Sequence, residues 1–149
     1  MSDRIEKSID LKAPQSRVWK ALTDHREFGT WFGVRLDGPF TPGQPSTGQL
    51  TIKGLEHIRW SAMVQKIEPE RYFAYKWHPY AIDPKVDYSG EPMTLVEFFL
   101  EKSAKGTLVR VVESGFEKLP PDRRDISFRM NDGGWGKQLG NIAKHVETS

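Results

Sequence analysis

The stretch Arg71–Ser114, RYFAYKWHPYAIDPKVDYSGEPMTLVEFFLEKSAKGTLVRVVES, contains three runs in which apolar and polar residues alternate. Side chains on a strand point to opposite faces in turn, so this pattern predicts strands over Tyr72–His78, Met93–Lys102 and Gly106–Ser114. One parity collects Phe73, Tyr75 and Trp77, then Val96, Phe98 and Leu100, then Val109, Val111 and Glu113. That parity reads as the inner face. The other carries Lys76, Glu97, Glu101 and Arg110, which prefer solvent. The joins Lys102–Gly106 and Pro69–Arg71 are short enough for hairpins, and no helix intervenes. The predicted sheet is therefore an antiparallel meander rather than a parallel α/β sheet. The longer insertion Tyr80–Pro92, with Pro84, Tyr88, Gly90 and Pro92, is expected to hang over one end of the sheet, where loops shape ligand entrances.

Upstream, Arg4–Leu11 alternates weakly and reads as a first strand that Ala13-Pro14 stops. Pro14 suits a helix start, and Val18, Ala21 and Leu22 recur at helical spacing through Thr23. Asp24 is placed to cap a second helical turn carrying Phe28 and Trp31, after which Phe32 and Val34 begin another strand. The segment GPFTPGQPSTG, Gly38–Gly48, is read as loop because Pro39, Pro42 and Pro45 lie among glycines. A short strand is expected over Gln49–Lys53. A longer one is expected over Arg59–Ile67, with Trp60, Ala62 and Val64 as its more apolar set. Downstream, Pro120-Pro121-Asp122 marks a helix start, and Phe128, Trp135, Leu139, Ile142 and Val146 follow at helical spacing, which predicts one long helix over Arg123–Val146. The fold class is α+β: a curved antiparallel sheet around a long C-terminal helix, read as one domain over residues 1–149. No internal repeat, low-complexity tract or linker interrupts it.

Bulk properties narrow the function. The chain has 149 residues, enough to bury roughly 70% of its unfolded surface around a real core. Its 22 basic and 20 acidic residues give a formal net charge of +2, too weak a field to favour nucleic acid or an anionic membrane. No run approaches the ~20 apolar residues of a membrane span, and Met1–Leu11 is too charged for a signal peptide, so a cytoplasmic location is expected. The absence of cysteine removes disulfides, thiolate metal sites and a cysteine nucleophile. By contrast, five Trp, four Tyr and eight Phe are more rings than a core of this size requires.

The long helix departs from a simple core helix. Its inward stripe passes from Phe128 through Asn131 and Asp132 and then meets Gly133-Gly134 before Trp135. Two helix-interior glycines cost roughly 1 kcal/mol each relative to alanine, which calls for close packing, a bend or deliberate space. A buried Asp needs partners or a ligand. An aromatic wall opposite such a helix, with few polar groups, has the composition of a small-molecule pocket. The expected lining is Trp60, Phe73, Tyr75, Trp77, Phe98, Val111, Glu113, Phe128, Asn131, Asp132, Trp135 and Leu139. Each ring taken alone is as well explained by packing, Asn131 and Asp132 by a solvent-facing role, and Glu113 by an edge-strand position. The conjunction carries the pocket. No catalytic residue is assigned; the nearest candidates for polarising a bound ketone or water are His78, Glu113 and Asp132. The four scattered histidines and the lack of an HExxH or His-x-His motif argue against a metal site, and no cofactor is expected.

The run VESGFEKLPPDRRDISFRMNDGGWGKQLGNIAKHV, Val112–Val146, closely resembles the C-terminal segment of bacterial proteins similar to heat-shock-protein-90 ATPase activator homologues. APQSRVWKALTD, Ala13–Asp24, followed by Trp31-Phe32-Gly33, resembles their N-terminal signature. These proteins belong to the SRPBCC superfamily, which includes START lipid-transfer domains and the birch-pollen-allergen fold. The resemblance implies a helix-grip fold: a seven-stranded antiparallel sheet, two short helices after the first strand, and a long helix closing a cavity. It implies a hydrophobic small-molecule partner of aromatic or lipid-like character, since superfamily relatives bind lipids, sterols, polyketides or flavonoid-like aromatics. Some relatives act as cyclases or dehydratases. A chaperone is the alternative partner, although the activator proper engages it through an additional domain to which no segment of these 149 residues corresponds.

Overall fold

The computed structural model describes residues 4–147. Seven strands form one antiparallel sheet in the order β1-β7-β6-β5-β4-β3-β2. The strands are β1 (Ile5–Leu11), β2 (Val34–Leu36), β3 (Pro45–Leu50), β4 (Arg59–Glu68), β5 (Tyr72–Trp77), β6 (Thr94–Lys102) and β7 (Thr107–Ser114). Two short helices, α1 (Gln15–Thr23) and α2 (His25–Phe32), follow β1, and α3 (Pro121–Glu147) closes the chain. This is the helix-grip arrangement. Because β1 returns to pair with β7, the N-terminal strand forms one edge and β2 the other.

Local chemistry places the corner between β1 and β2. Asp24 accepts hydrogen bonds from the backbone N–H groups of Arg26 (2.9 Å) and Glu27 (3.2 Å), which starts α2, and these bonds hold its carboxyl below the usual range. Gly33, at φ +98°, ends α2 in the left-handed region, so Phe32 is the last helical residue and not the start of a strand. The three-helix junction is tied by Glu27, which accepts from Arg17 (2.6 Å) and meets His145 of α3 at 2.8 Å.

The segment Gly38–Gly48, read as loop, ends in a strand. β3 begins at Pro45 and pairs with both β2 and β4, and the strand expected over Gln49–Lys53 stops at Leu50. Proline is tolerated at the first residue of a strand, and Gly48 is required inside it: a Cβ there would lie 2.5 Å from the Arg35 carbonyl oxygen of β2. Turn-forming composition thus marks a close approach of two backbones. In β4 the pairing with β5 slips between Val64 and Lys66, a register shift of the kind that raises local twist and bends a strand.

The inner parity is the core. Phe73, Tyr75, Val96, Phe98, Val109 and Val111 are buried, as are Trp60, Ala62 and Val64 from β4. Their rings touch edge-on or stacked: Phe73–Phe98 at 6.1 Å, Tyr75–Trp77 at 5.3 Å and Trp60–Tyr75 at 5.6 Å between centroids. From α3, Trp135, Leu139, Ile142 and Val146 enter this core. Phe28, Phe32 and Phe40 extend it towards the β2 edge.

Candidate functional site

Beside this packed interior, two apolar clefts open to solvent at one end of the sheet. The larger, of about 330 Å³, lies between β4, the segment after β3 and the β5–β6 connection. Trp60, Trp77, Ile58, Tyr80, Ile82 and Tyr88 are among its lining residues. The smaller, of about 270 Å³, runs along α3 past Gly134, Trp135 and Gln138 to Leu55. Both share Phe32, Ile52, Trp77 and Asn131, so these four residues form the wall between them. The larger volume falls at the lower end of the ~300–1,000 Å³ typical of small-ligand sites.

Behind that wall lies Glu113, fully buried on β7. The register sets its neighbours: β6 pairs Val96 with Glu113, and β5 pairs Trp77 with Thr94. Four side chains converge on the carboxyl group. The indole N–H of Trp135 (2.8 Å) and the Asn131 amide (3.0 Å) donate to Oε1, while the indole N–H of Trp77 (2.8 Å) and the Thr94 hydroxyl (2.6 Å) donate to Oε2. Burial raises the Glu113 pKa above its ordinary value, and the bonds from Thr94, Trp77, Trp135 and Asn131 counter it only in part. Trp77 and Trp135, joined through one carboxyl group, stack at 5.9 Å with 28° between planes. Tyr75 is also fully buried; desolvation, and secondarily the charge of Glu113, raises its pKa well above the ordinary value.

The expected lining residues therefore separate into three groups. Trp60, Trp77, Asn131 and Trp135 line the clefts, and Glu113 holds three of these four from behind. Phe73, Tyr75, Phe98, Val111 and Leu139 are buried in the core and are absent from both cleft linings, and Phe128 packs edge-on against Phe116 at 5.2 Å. Asp132 faces the β1 edge, where it meets Lys7 at 3.4 Å, because one helical step from Asn131 turns it by about 100°. The space expected between sheet and helix is largely taken by rings, and the open volume lies at the end of the barrel-like grip.

A Cβ on Gly133 or Gly134 would meet nothing within 4 Å, so neither glycine permits a close approach to another protein atom. Gly134 instead borders the smaller cleft. Among the residues that sequence reasoning missed are Phe32, Ile52 and Ile58 of the cleft linings and Thr94 behind them. Phe32 and Ile52 flank Gly33 and its close contact with the Ile52 side chain, a tertiary relation with no local periodicity. Thr94 was legible as the residue opposite Trp77 once register was known.

The β5–β6 connection is fastened by Arg123 of α3. Its guanidinium donates to Glu91 (3.0 Å) and to the carbonyl oxygens of Pro79 (2.6 Å) and Tyr80 (3.2 Å), and lies 4.7 Å from the Tyr88 ring centroid. Tyr80 is held at φ +50°, an uncommon backbone state for a bulky residue. No group of three or more His, Asp or Glu residues able to hold a metal occurs among the described residues, and no helix is long and apolar enough to cross a membrane.

Residues 12–147 match the family described as Activator of Hsp90 ATPase homolog 1-like protein. The chain belongs to that family. Solved structures share the fold of this Activator of Hsp90 ATPase homolog 1-like chain. DynU16, a protein of the dynemicin biosynthetic locus, superposes with a TM-score of 0.76 at 23% identity over 99% of this chain, which spans about half (48%) of that longer one. MLL2253 from Mesorhizobium loti gives 0.77 at 20% identity, covering 98% of both chains. The Aha1 dimer from Colwellia psychrerythraea gives 0.71 at 20% identity, covering 99% of this chain and 97% of that one. No curated protein matches the chain.

Proposed function

We propose that this family member binds a hydrophobic, ring-containing small molecule in the paired clefts, with the ring against Trp77 and Trp135. The observation that carries the reading is the shared wall. Two apolar clefts meet at Phe32, Ile52, Trp77 and Asn131, and a fully buried carboxyl group fixes the orientation of Trp77, Trp135 and Asn131 from behind. Preorganised aromatic faces lower the ordering cost of binding. Removing ~200 Å² of apolar ligand surface from water contributes on the order of 5 kcal/mol before those costs, an upper bound that corresponds to affinity of roughly 0.2 mM from that area alone.

The family description also raises a chaperone partner, but the large hydrophobic side chains exposed among the described residues are Val86 and Met130, whereas the apolar surface at the clefts is concave. Concavity favours a small guest. The reading is tested by titrating the isotope-labelled protein with a flavonoid, a sterol and a fatty acid. A saturable shift of the Trp77 and Trp135 indole N–H signals and the Asn131 side-chain amide is expected for at least one ring compound. Shifts confined to the outer face of the sheet, at Lys76 or Arg110 for example, would falsify it.

A further inference from the structure

The wall between the clefts also specifies polarity. Of the four residues common to both, Phe32 and Ile52 are apolar and Trp77 has its N–H committed to Glu113. Trp135, in the smaller cleft, has committed its N–H to the same carboxyl group. An indole has one donor and no acceptor, so both tryptophans offer a ligand their ring faces and nothing else polar. Asn131 differs. Its amide Nδ2 donates to Oε1 of Glu113, the oxygen that also accepts the Trp135 indole N–H, whereas a carboxyl proton has its partner in the Thr94 hydroxyl at Oε2, so Oε1 is the acceptor and sets nitrogen and oxygen of the amide. The planar amide then holds Oδ1 on the side away from the buried carboxyl group, and Asn131 lines both clefts. Oδ1 takes no hydrogen bond from the described residues.

Resting on the cleft-binding reading, we infer that the site selects flat aromatic ligands bearing a hydroxyl or N–H donor, which Asn131 Oδ1 accepts while the ring stacks on Trp77. Glu113 is a positioning residue: it holds the amide with its oxygen outward and does not touch the ligand. A ring carrying only ether or carbonyl oxygens would leave Oδ1 desolvated and unpaired, and that mismatch discriminates more strongly than a surplus contact attracts.

The experiment compares 2-naphthol with 2-methoxynaphthalene, which share a ring system and differ in the donor, by chemical-shift titration of the full chain. The naphthol is expected to bind about fivefold to tenfold more tightly, the ratio one neutral hydrogen bond supports. In Asn131→Ala the ratio should fall to about one, mainly because methoxynaphthalene affinity rises once the unpaired oxygen is removed. Glu113→Gln should at least halve the ratio, because the glutamine amide lets the Asn131 amide turn over. Equal affinities of the two probes for the wild-type protein, or a ratio that persists in Asn131→Ala, would overturn the inference and leave cleft binding intact. Failure of both probes to shift any cleft signal would overturn the cleft-binding reading itself.

Discussion

At the scale of single residues, Glu113 is tightly constrained. A buried carboxyl group is costly to desolvate, and here four donors from β5, β6 and α3 offset that cost. Replacing it with leucine would strand two indole N–H groups, a hydroxyl and an amide, so Glu113→Leu is expected to lose about 2–5 kcal/mol of stability in urea unfolding. Glu113→Gln, which retains shape and one acceptor, should lose less. The raised pKa gives a second test. The folded state binds the Glu113 proton more tightly than the unfolded chain, whose value is 4.5, so the stabilising contribution is complete below that value and is lost as pH rises through the folded pKa. Glu27 works in the opposite sense: burial opposes, but hydrogen bonds from His145 and Arg17 hold its carboxyl below the ordinary value. The stability difference between wild type and Glu113→Gln isolates Glu113, and that difference should be largest near pH 4.5 and shrink towards pH 8. A difference that grows over this interval would contradict the burial-dominated environment.

At the scale of elements, the long helix and the β5–β6 connection control the clefts. Gly133→Ala and Gly134→Ala should each raise stability by about 1 kcal/mol in thermal or urea unfolding, since neither added methyl meets another atom. Only Gly134→Ala places its methyl at the smaller cleft, so only it should weaken ligand binding there. Arg123→Ala should speed amide exchange across residues 78–92 far more than in β6 or β7, because it removes the bonds to Glu91, Pro79 and Tyr80 together. Equal acceleration throughout the sheet would show that Arg123 holds the whole fold and not this connection. The elements themselves were largely legible: strict alternation in β5, β6 and β7 gave both strand type and inner face, and the capped corner at Asp24 gave α1 and α2. β3 was not, because Pro45 and Gly48 signal turns locally, while their real constraints, a strand start and contact with the Arg35 carbonyl, belong to tertiary structure.

At the scale of the whole molecule, curvature leaves the rings of β4–β6 and α3 packed through the middle of the grip and opens space at one end. Sequence alone identified the aromatic wall but not its filling, since periodicity reports which face a ring takes and not whether a neighbouring ring meets it. It also joined Asp132 to Asn131, two residues that one helical step sends to different surfaces. What remains of the expected site is a compact unit of Trp60, Trp77, Asn131 and Trp135, three of them organised by Glu113. The most direct test of this account is a structure determined with the tightest-binding aromatic probe. The predicted result is a ring seated against Trp77 between Phe32, Ile52 and Asn131, with Phe73, Tyr75 and Phe98 unmoved. A ring found among Phe73, Tyr75 and Phe98, with the core parted to admit it, would contradict the account.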